Sequence, residues 1–226
     1  AVEEDNLGRF WFGTNAGISV YNPEAQGKDQ VQIFNNTKNA IGNKIRFIKS
    51  DKNGTIWIGT DGNGLSYYDL KLKRFIYDTR LNQYLHEIIT ALVVDKENSL
   101  WIGNQDRLVK LDPSRQNILT FTQTAGLAGN WIKVLFCDNK NNIWIGSEEK
   151  SGLTKYDAAT GKFKIINIGE GNVPQTISQT YDSRIWVGTV SGLIGIENDS
   201  VTIKLNKETG LLSDNIKLLQ SEGKNF

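Results

Sequence analysis

One histidine, His86, and one cysteine, Cys137, stand in this sequence of 226 residues. A lone histidine cannot build a multi-histidine metal site, and one cysteine allows neither a thiolate cluster nor an internal disulfide. A Ser-His-Asp arrangement would have to use His86, and no nucleophile-elbow phrase accompanies it. The stretch Gly59-Thr60-Asp61-Gly62-Asn63-Gly64 lacks the Lys-Ser/Thr ending and the following helix of a phosphate loop. Glu148 and Glu149 read as solvated loop charges, since a glycosidase pair needs two carboxyls facing one cleft, about 5–9.5 Å apart. Cys137 lies in the apolar run Val134-Leu135-Phe136-Cys137 and reads as a small packed hydrophobe. No catalytic residue, metal site or cofactor is expected.

Binding chemistry has more candidates. Trp131 stands apart from five regularly spaced tryptophans. Its indole would either stack on a sugar face or fill a gap in the packing. Tyr84 and His86 share a comparable loop one unit earlier. Arg107 replaces a glycine found in the other units, and would pair with a carboxylate or a sugar hydroxyl, or with a surface acid. The position after the first isoleucine of each unit reads Arg46, Thr90, Lys133, Ser178 and Lys217. Arg46, Lys133 and Lys217 would either line a channel that favours an anion or be solvated.

These residues need a frame, and the frame is a repeat. Trp11, Trp57, Trp101, Trp144 and Trp186 follow one another at spacings of 46, 44, 43 and 42 residues. Each heads a phrase such as Trp57-Ile58-Gly59-Thr60 or Trp144-Ile145-Gly146-Ser147. Six residues before the first four lie Asp5, Asp51, Asp95 and Asp138, with Gly8, Gly54, Asn98 or Asn141 three residues on. That is hairpin-turn chemistry, because Gly and Asn tolerate positive φ and Asp bonds back to the turn. The fifth copy reads as a shortened turn, Asp182-Ser183-Arg184. A Gly-apolar step follows downstream, as in Gly64-Leu65 to Tyr68-Asp69, and then a short run around Phe34, Phe75, Phe121, Phe163 or Ile203.

Each unit therefore holds four short strands. The first strands are expected at Ile45 to Ile48, Ile89 to Val94, Ile132 to Phe136, Ile177 to Tyr181 and Ile216 to Leu219. Four antiparallel strands every 40 to 45 residues define the blade of a propeller. The expected fold is all-β: a single β-propeller domain over residues 1–226, with five repeats anchored on the five regular tryptophans. It is either an open arc of a larger, seven-bladed propeller or a five-bladed ring closed by the C-terminal strand. On that frame two loop sets share a face, one joining fourth strand to next first strand and the other joining second to third.

Charge is balanced, with 26 Lys and Arg against 25 Asp and Glu, which argues against a nucleic-acid surface. No apolar run reaches 18 residues, so no membrane contact by this chain is expected. The start shows no signal-peptide pattern and the chain contains no methionine, so it reads as a piece of a longer protein.

The phrase from Asp51 to Asp69, Asp-x-x-Gly-x-Ile-Trp-Ile-Gly-Thr with Gly-Leu and Tyr-Asp behind it, resembles the two-component regulator propeller repeat. The lead-ins Gly126-Leu127-Ala128-Gly129-Asn130-Trp131-Ile132 and Gly210-Leu211-Leu212-Ser213-Asp214-Asn215-Ile216 are similar to that family's approach to its first strand. The resemblance implies the extracytoplasmic sensor propeller of a hybrid histidine kinase of Bacteroides type, periplasmic and attached to a membrane anchor outside this sequence. It also implies a small-molecule or oligosaccharide ligand, signal transduction rather than catalysis, and room for a homodimer. A cell-surface or secretion-associated interaction module is the second reading. A streptogramin-lyase-like enzyme is the third, and it would need an essential histidine and metal-binding carboxylates where only His86 is present.

Overall fold

The computed structural model describes residues 1–35, 44–85, 88–149 and 152–221. Its strands are β1 (Val2–Glu4), β2 (Phe10–Thr14), β3 (Gly17–Tyr21), β4 (Val31–Phe34), β5 (Ile45–Ser50), β6 (Ile56–Thr60), β7 (Leu65–Asp69), β8 (Arg74–Tyr77), β9 (Ala91–Val94), β10 (Leu100–Gly103), β11 (Leu108–Leu111), β12 (Ile118–Phe121), β13 (Ile132–Cys137), β14 (Ile143–Ser147), β15 (Gly152–Asp157), β16 (Lys162–Asn167), β17 (Pro174–Gln179), β18 (Ile185–Thr189), β19 (Gly192–Glu197) and β20 (Ser200–Leu205). They form five four-stranded sheets in chain order, β1–β4, β5–β8, β9–β12, β13–β16 and β17–β20. The one α-helix among the described residues is α1 (Thr79–Asn82), after β8. The chain divides into two compact units: Ala1–Gln105 with Val109–Leu119, and Asp106–Leu108 with Thr120–Phe226.

Within each unit the sheets stack face to face, which explains why the second strand is buried on both sides. All five residues of β6 are buried, as are all five of β14. The fourth strand is not, and β20 alternates exposed and half-buried positions. Trp11 from the first sheet packs with Ile45, Ile48, Ile56, Ile58 and Tyr68 of the second. Trp57 joins Ile89, Leu92, Leu100 and Ile102 of the third, and Trp144 joins Ile177, Ile185, Val187 and Ile194 of the fifth. These indoles are the fillers between sheets, and truncating a buried one to alanine costs about 3–5 kcal/mol.

The spacing of six between Asp and Trp has a second reason beyond the turn. Asp5, Asp51, Asp95 and Asp138 are buried. One oxygen of each takes turn amides: Leu7 and Arg9 donate to Asp5, Asn53 and Thr55 to Asp51, Ser99 to Asp95, and Lys140 and Asn142 to Asp138. The other oxygen accepts the indole Nε1–H of Trp11, Trp57, Trp101 or Trp144, at 2.8, 3.0, 2.8 and 2.9 Å. The phrase's glycine is also explained. A Cβ on Gly13 would lie 2.5 Å from Ile45 of the next sheet, one on Gly59 2.8 Å from Ile89, and one on Gly146 2.6 Å from Pro174. Its final hydroxyl closes the β-hairpin, with Thr14, Thr60, Ser147 and Thr189 donating to the carbonyls of Gly17, Gly64, Gly152 and Gly192.

Three expectations are corrected. The fifth turn is not shortened. Thr180 holds the Asp slot, with Thr180 N–H donating to Arg184 O and Ser183 N–H to Thr180 O, as Asp5 and Gly8 do in the first copy. Ser183 takes the positive φ, 66°, that Asn141 takes at 68°. Second, the fifth first strand is Pro174–Gln179, three residues earlier than Ile177 to Tyr181. Pro174 occupies the slot of Ile45 and Ile132, pairing with Thr189 as they pair with Thr60 and Ser147. A proline is tolerated there because it opens the strand. Third, Ile216 to Leu219 forms no strand. Ile216 N–H donates to Thr189 O and its side chain sits over Gly188, where a first strand would enter. It does not pair with β2, whose two edges are already filled by β1 and β3.

Asp138→Ala removes the acceptor of Trp144, Lys140 and Asn142 together, and should lower stability by about 2–4 kcal/mol. Thr180→Asp should supply the missing acceptor for Trp186 and add about 1 kcal/mol. Thermal melts of the two variants check this, and an unchanged melting temperature for Asp138→Ala would sink the account.

Burial pushes the Asp5 carboxyl up, but the hydrogen bonds from Trp11, Arg9 and Leu7 outweigh it and hold it below its ordinary 3.8. Its contribution is therefore present above 3.8 and is lost as pH falls through the lower native value. Stability should drop on acidification in that window, and Asp5→Asn should flatten the drop in a pH series of melts.

Candidate functional site

The two loop sets lie together at one end of their sheets. Asp61 N–H donates to Lys44 O, Glu148 N–H to Trp131 O, and Val190 N–H to Val173 O, so each β2–β3-type loop is tied to the entry of its own first strand. At that entry the first strand bulges. The register slips between Ile45 and Phe47, between Ile132 and Val134, and between Pro174 and Thr176. The bulged residues are Arg46, Lys133 and Gln175, and a bulge re-aims the side chain it carries. Gln175, not Ser178, thus belongs in the row with Arg46 and Lys133; Ser178 lies lower, opposite Trp186.

Trp131 sits at the entry of β13 and is 38% exposed. The Nζ of Lys133 lies 6.0 Å from the centre of its ring and 3.3 Å from Glu148. The loop behind it is stitched down, with Asn130 N–H donating to Glu149 Oε2 and Ala128 N–H to Thr154 Oγ1. Glu148 and Glu149 are therefore engaged groups rather than solvated ones. Glu149, a solvated loop charge by sequence alone, is a positioning residue whose partner is a backbone amide. Gln175 donates to Asn215 Oδ1 at 2.7 Å, a second contact that was not legible once Ile177 was taken as the start of its strand.

The other candidates are distributed. Arg46 is exposed and 4.0 Å from Asp61. Lys217 is exposed in the segment after β20. Arg107 pairs with Asp106 at 2.7 Å, and that hydrogen bond raises its already high pKa. Tyr84 is 37% exposed, just past α1. His86 lies outside the described residues. Of the seven candidates, Trp131 and Lys133 are in contact with each other.

A larger cleft of about 480 Å³ lies on the turn side of the second unit, lined by Lys140, Asn142, Lys155, Asp182, Glu197 and Asp199. Lys155 and Lys164 both pair with Asp199, at 2.9 and 3.1 Å, and Arg184 with Glu197. Asp199 and Glu197 are thus neutralised by neighbouring cations. No group of three or more His, Cys, Asp or Glu among the described residues is arranged to hold a metal ion.

The fold and the repeat chemistry define a propeller-repeat protein. Residues 39–62 and 126–149 match the family model described as two component regulator propeller. Nothing among curated proteins matches the chain. It is similar to the extracellular domain of a protein described as a hybrid two component system from B. thetaiotaomicron, with a TM-score of 0.73 and 22% identity over 91% of this chain and 31% of that one. PorZ, a surface component of the type-IX secretion system of Porphyromonas gingivalis, aligns with a TM-score of 0.72 at 14% identity, over 98% of this chain and 35% of that one. Virginiamycin B lyase from Staphylococcus aureus aligns at 0.66 and 11%, over 92% and 70%. At these identities the likeness shows the fold, and the chain spans about a third of the length of the extracellular domain it matches. No helix among the described residues is long and apolar enough to cross a membrane.

Trp11, Trp57, Trp101 and Trp144 are at most 3% exposed. Collisional quenching by acrylamide should therefore fall on Trp131 and the half-buried Trp186, and Trp131→Phe should remove the more accessible fraction. A quenching curve unchanged in Trp131→Phe would mean that the indole is covered.

Proposed function

We propose that this chain is the ligand-binding part of a sensor propeller in a two-component signalling protein, acting outside the cytoplasm, in the periplasm, and detecting an oligosaccharide without catalysing a reaction on it. The repeat and the extracellular sensor neighbour support the signalling class. The single observation behind the ligand is Trp131. It departs from the repeat, is held on a stitched loop, and leaves over a third of its surface open beside a Lys133–Glu148 pair. A flat ring with polar groups at its rim suits a sugar face, because the ring takes the C–H face and the rim takes hydroxyls. Lys133, 6.0 Å from the ring centre, would serve the rim, and Gln175, Tyr84, His86, Arg107, Arg46 and Lys217 are proposed as contacts for the same ligand class elsewhere on the chain. The near-zero net charge supports a partner other than nucleic acid.

The PorZ likeness, over 98% of the chain, supports a second reading as an interaction module of a cell-surface assembly.

Calorimetric titration with a panel of oligosaccharides tests the proposal. Binding should appear with at least one sugar, and Trp131→Ala should weaken it about tenfold, the loss of roughly 1.4 kcal/mol. Heat from no sugar, or binding indifferent to Trp131→Ala, would overturn the assignment.

A further inference from the structure

The second departure from the repeat is α1. Where other units enter their next strand through 3-10 turns such as Gln123–Ala125 and Lys207–Thr209, the second unit inserts a turn of α-helix. It is held firmly. The Asp78 carboxylate accepts the N–H groups of Arg80 and Leu81, and Leu81 is buried to 1%. The buried Asn82 amide accepts from Leu65 N–H and donates to Leu65 O, copying a strand partner for β7. An insertion fixed this well carries its outer side chains on a rigid base.

Those side chains face the β11–β12 hairpin across a cleft of about 420 Å³. Arg80, Gln83 and Tyr84 line one wall, and Gln116, Asn117 and Leu119 the other. Gln83, Tyr84, Gln116, Asn117 and Leu119 are exposed, with Leu119 at 53%. Asn117 donates through Nδ2 to Asp112, which fixes its amide. Among the described residues of the cleft, the Arg80 guanidinium is taken up by Asp78 at 3.0 Å. Beside that pair the walls offer three primary amides, the Tyr84 phenol and the aliphatic Ile118 and Leu119.

We infer that the cleft between α1 and the β11–β12 hairpin is a separate binding site for an uncharged, polyhydroxylated ligand, a neutral oligosaccharide. A side-chain amide offers donor and acceptor side by side, which matches adjacent hydroxyls that are themselves donors and acceptors. Tyr84 and Leu119 supply the apolar contact for the ligand's C–H face. A carboxylated or sulfated ligand would meet a guanidinium already neutralised by Asp78, and would gain little over a neutral one. The site shares no wall residue with the Trp131 loop, and Tyr84, a candidate contact in its own right, belongs to this cleft, so the Trp131 and α1 sites are tested by separate substitutions.

The whole chain, labelled with nitrogen-15, is titrated with neutral gluco-, manno- and xylo-hexaoses, with hexagalacturonate and with an uncharged hexapeptide. The side-chain amide signals of Gln83, Gln116 and Asn117 are followed throughout. A neutral hexaose should shift them, and the surface double variant Gln83→Ala/Gln116→Ala should weaken that binding about tenfold while Trp131→Ala leaves it within about twofold. Melting curves confirm that the variants are folded. Shifts caused only by the uronate or only by the peptide overturn the inference, as does the absence of any shift. Sugar binding lost in Trp131→Ala alone overturns it too, and leaves the Trp131 reading intact.

Discussion

Four buried carboxylates carry this architecture. Each has two oxygens and two tasks. One oxygen gathers the amides of a tight turn, and the other holds the indole N–H of the tryptophan six residues on. A buried carboxylate without partners would cost several kcal/mol. A hydrogen bond to a charged group returns about 1.5–3 kcal/mol, so three or four of them offset the burial. Cations complete the set. Arg9 bonds Asp5, and Arg115 reaches from the β11–β12 hairpin to Asp51. Arg9, Arg115, Lys110, Lys155 and Arg184 lie over the rings of Trp11, Trp57, Trp101, Trp144 and Trp186, at 4.7–5.8 Å from the ring centres. Every anchor indole is therefore fixed by a cation on its face, and four of the five also by an acid at the N–H. Fixing the ring fixes the neighbouring sheet packed on it, since Trp11 and Trp57 sit inside the clusters that join sheets.

The fifth unit shows what the carboxylate contributes. Thr180 stands in its place and bonds to Asp182 and Arg184 within its own turn. The turn keeps its backbone pattern, but Trp186 has no acid to accept its N–H and is only half-buried. The turn is thus set by the main chain and by a residue that tolerates positive φ. The acid adds an acceptor for the indole N–H, while the burial of the ring comes from the sheet packed on it, as with Trp11, Trp57 and Trp144.

That division explains what was readable. The tryptophan period was plain because packing demands one large ring per sheet. The acid was plain too, but turn chemistry already accounted for it, so its second oxygen went unread. Thr180 is hidden for the same reason: Asp182, two residues on, has the chemistry of a turn acid and points to a shorter loop. Ser178 falls outside the row because Pro174, not Ile177, fills the strand-opening slot. At the candidate site, Trp131 was visible as a break in the repeat. Glu149, Gln175 and the amides around α1 were not, because they act through backbone groups or through neighbours more than 30 positions away.

The bulged row also bears on ligand charge. Arg46 and Lys133 look like an anion-binding pair in the sequence. In the fold, each faces an acid at the loop tied to its own strand entry: Asp61 at 4.0 Å and Glu148 at 3.3 Å. The third and fifth units hold Thr90 and Gln175 there, and their corresponding loop residues are Gln105 and Val190, so no acid appears where no base does. In the four units from the second to the fifth, base and acid occur together or not at all at this position, which keeps these strand entries close to neutral. Such pairing costs little at exposed positions and gains little stability. Its effect is on recognition. An anion would have to displace Glu148 from Lys133, whereas a neutral ring laid on Trp131 leaves that pair intact and meets both its donor and its acceptor at the edge. Under the proposed sugar-binding reading, the geometry at Trp131 favours shape and hydroxyl pattern over charge as the basis of selection.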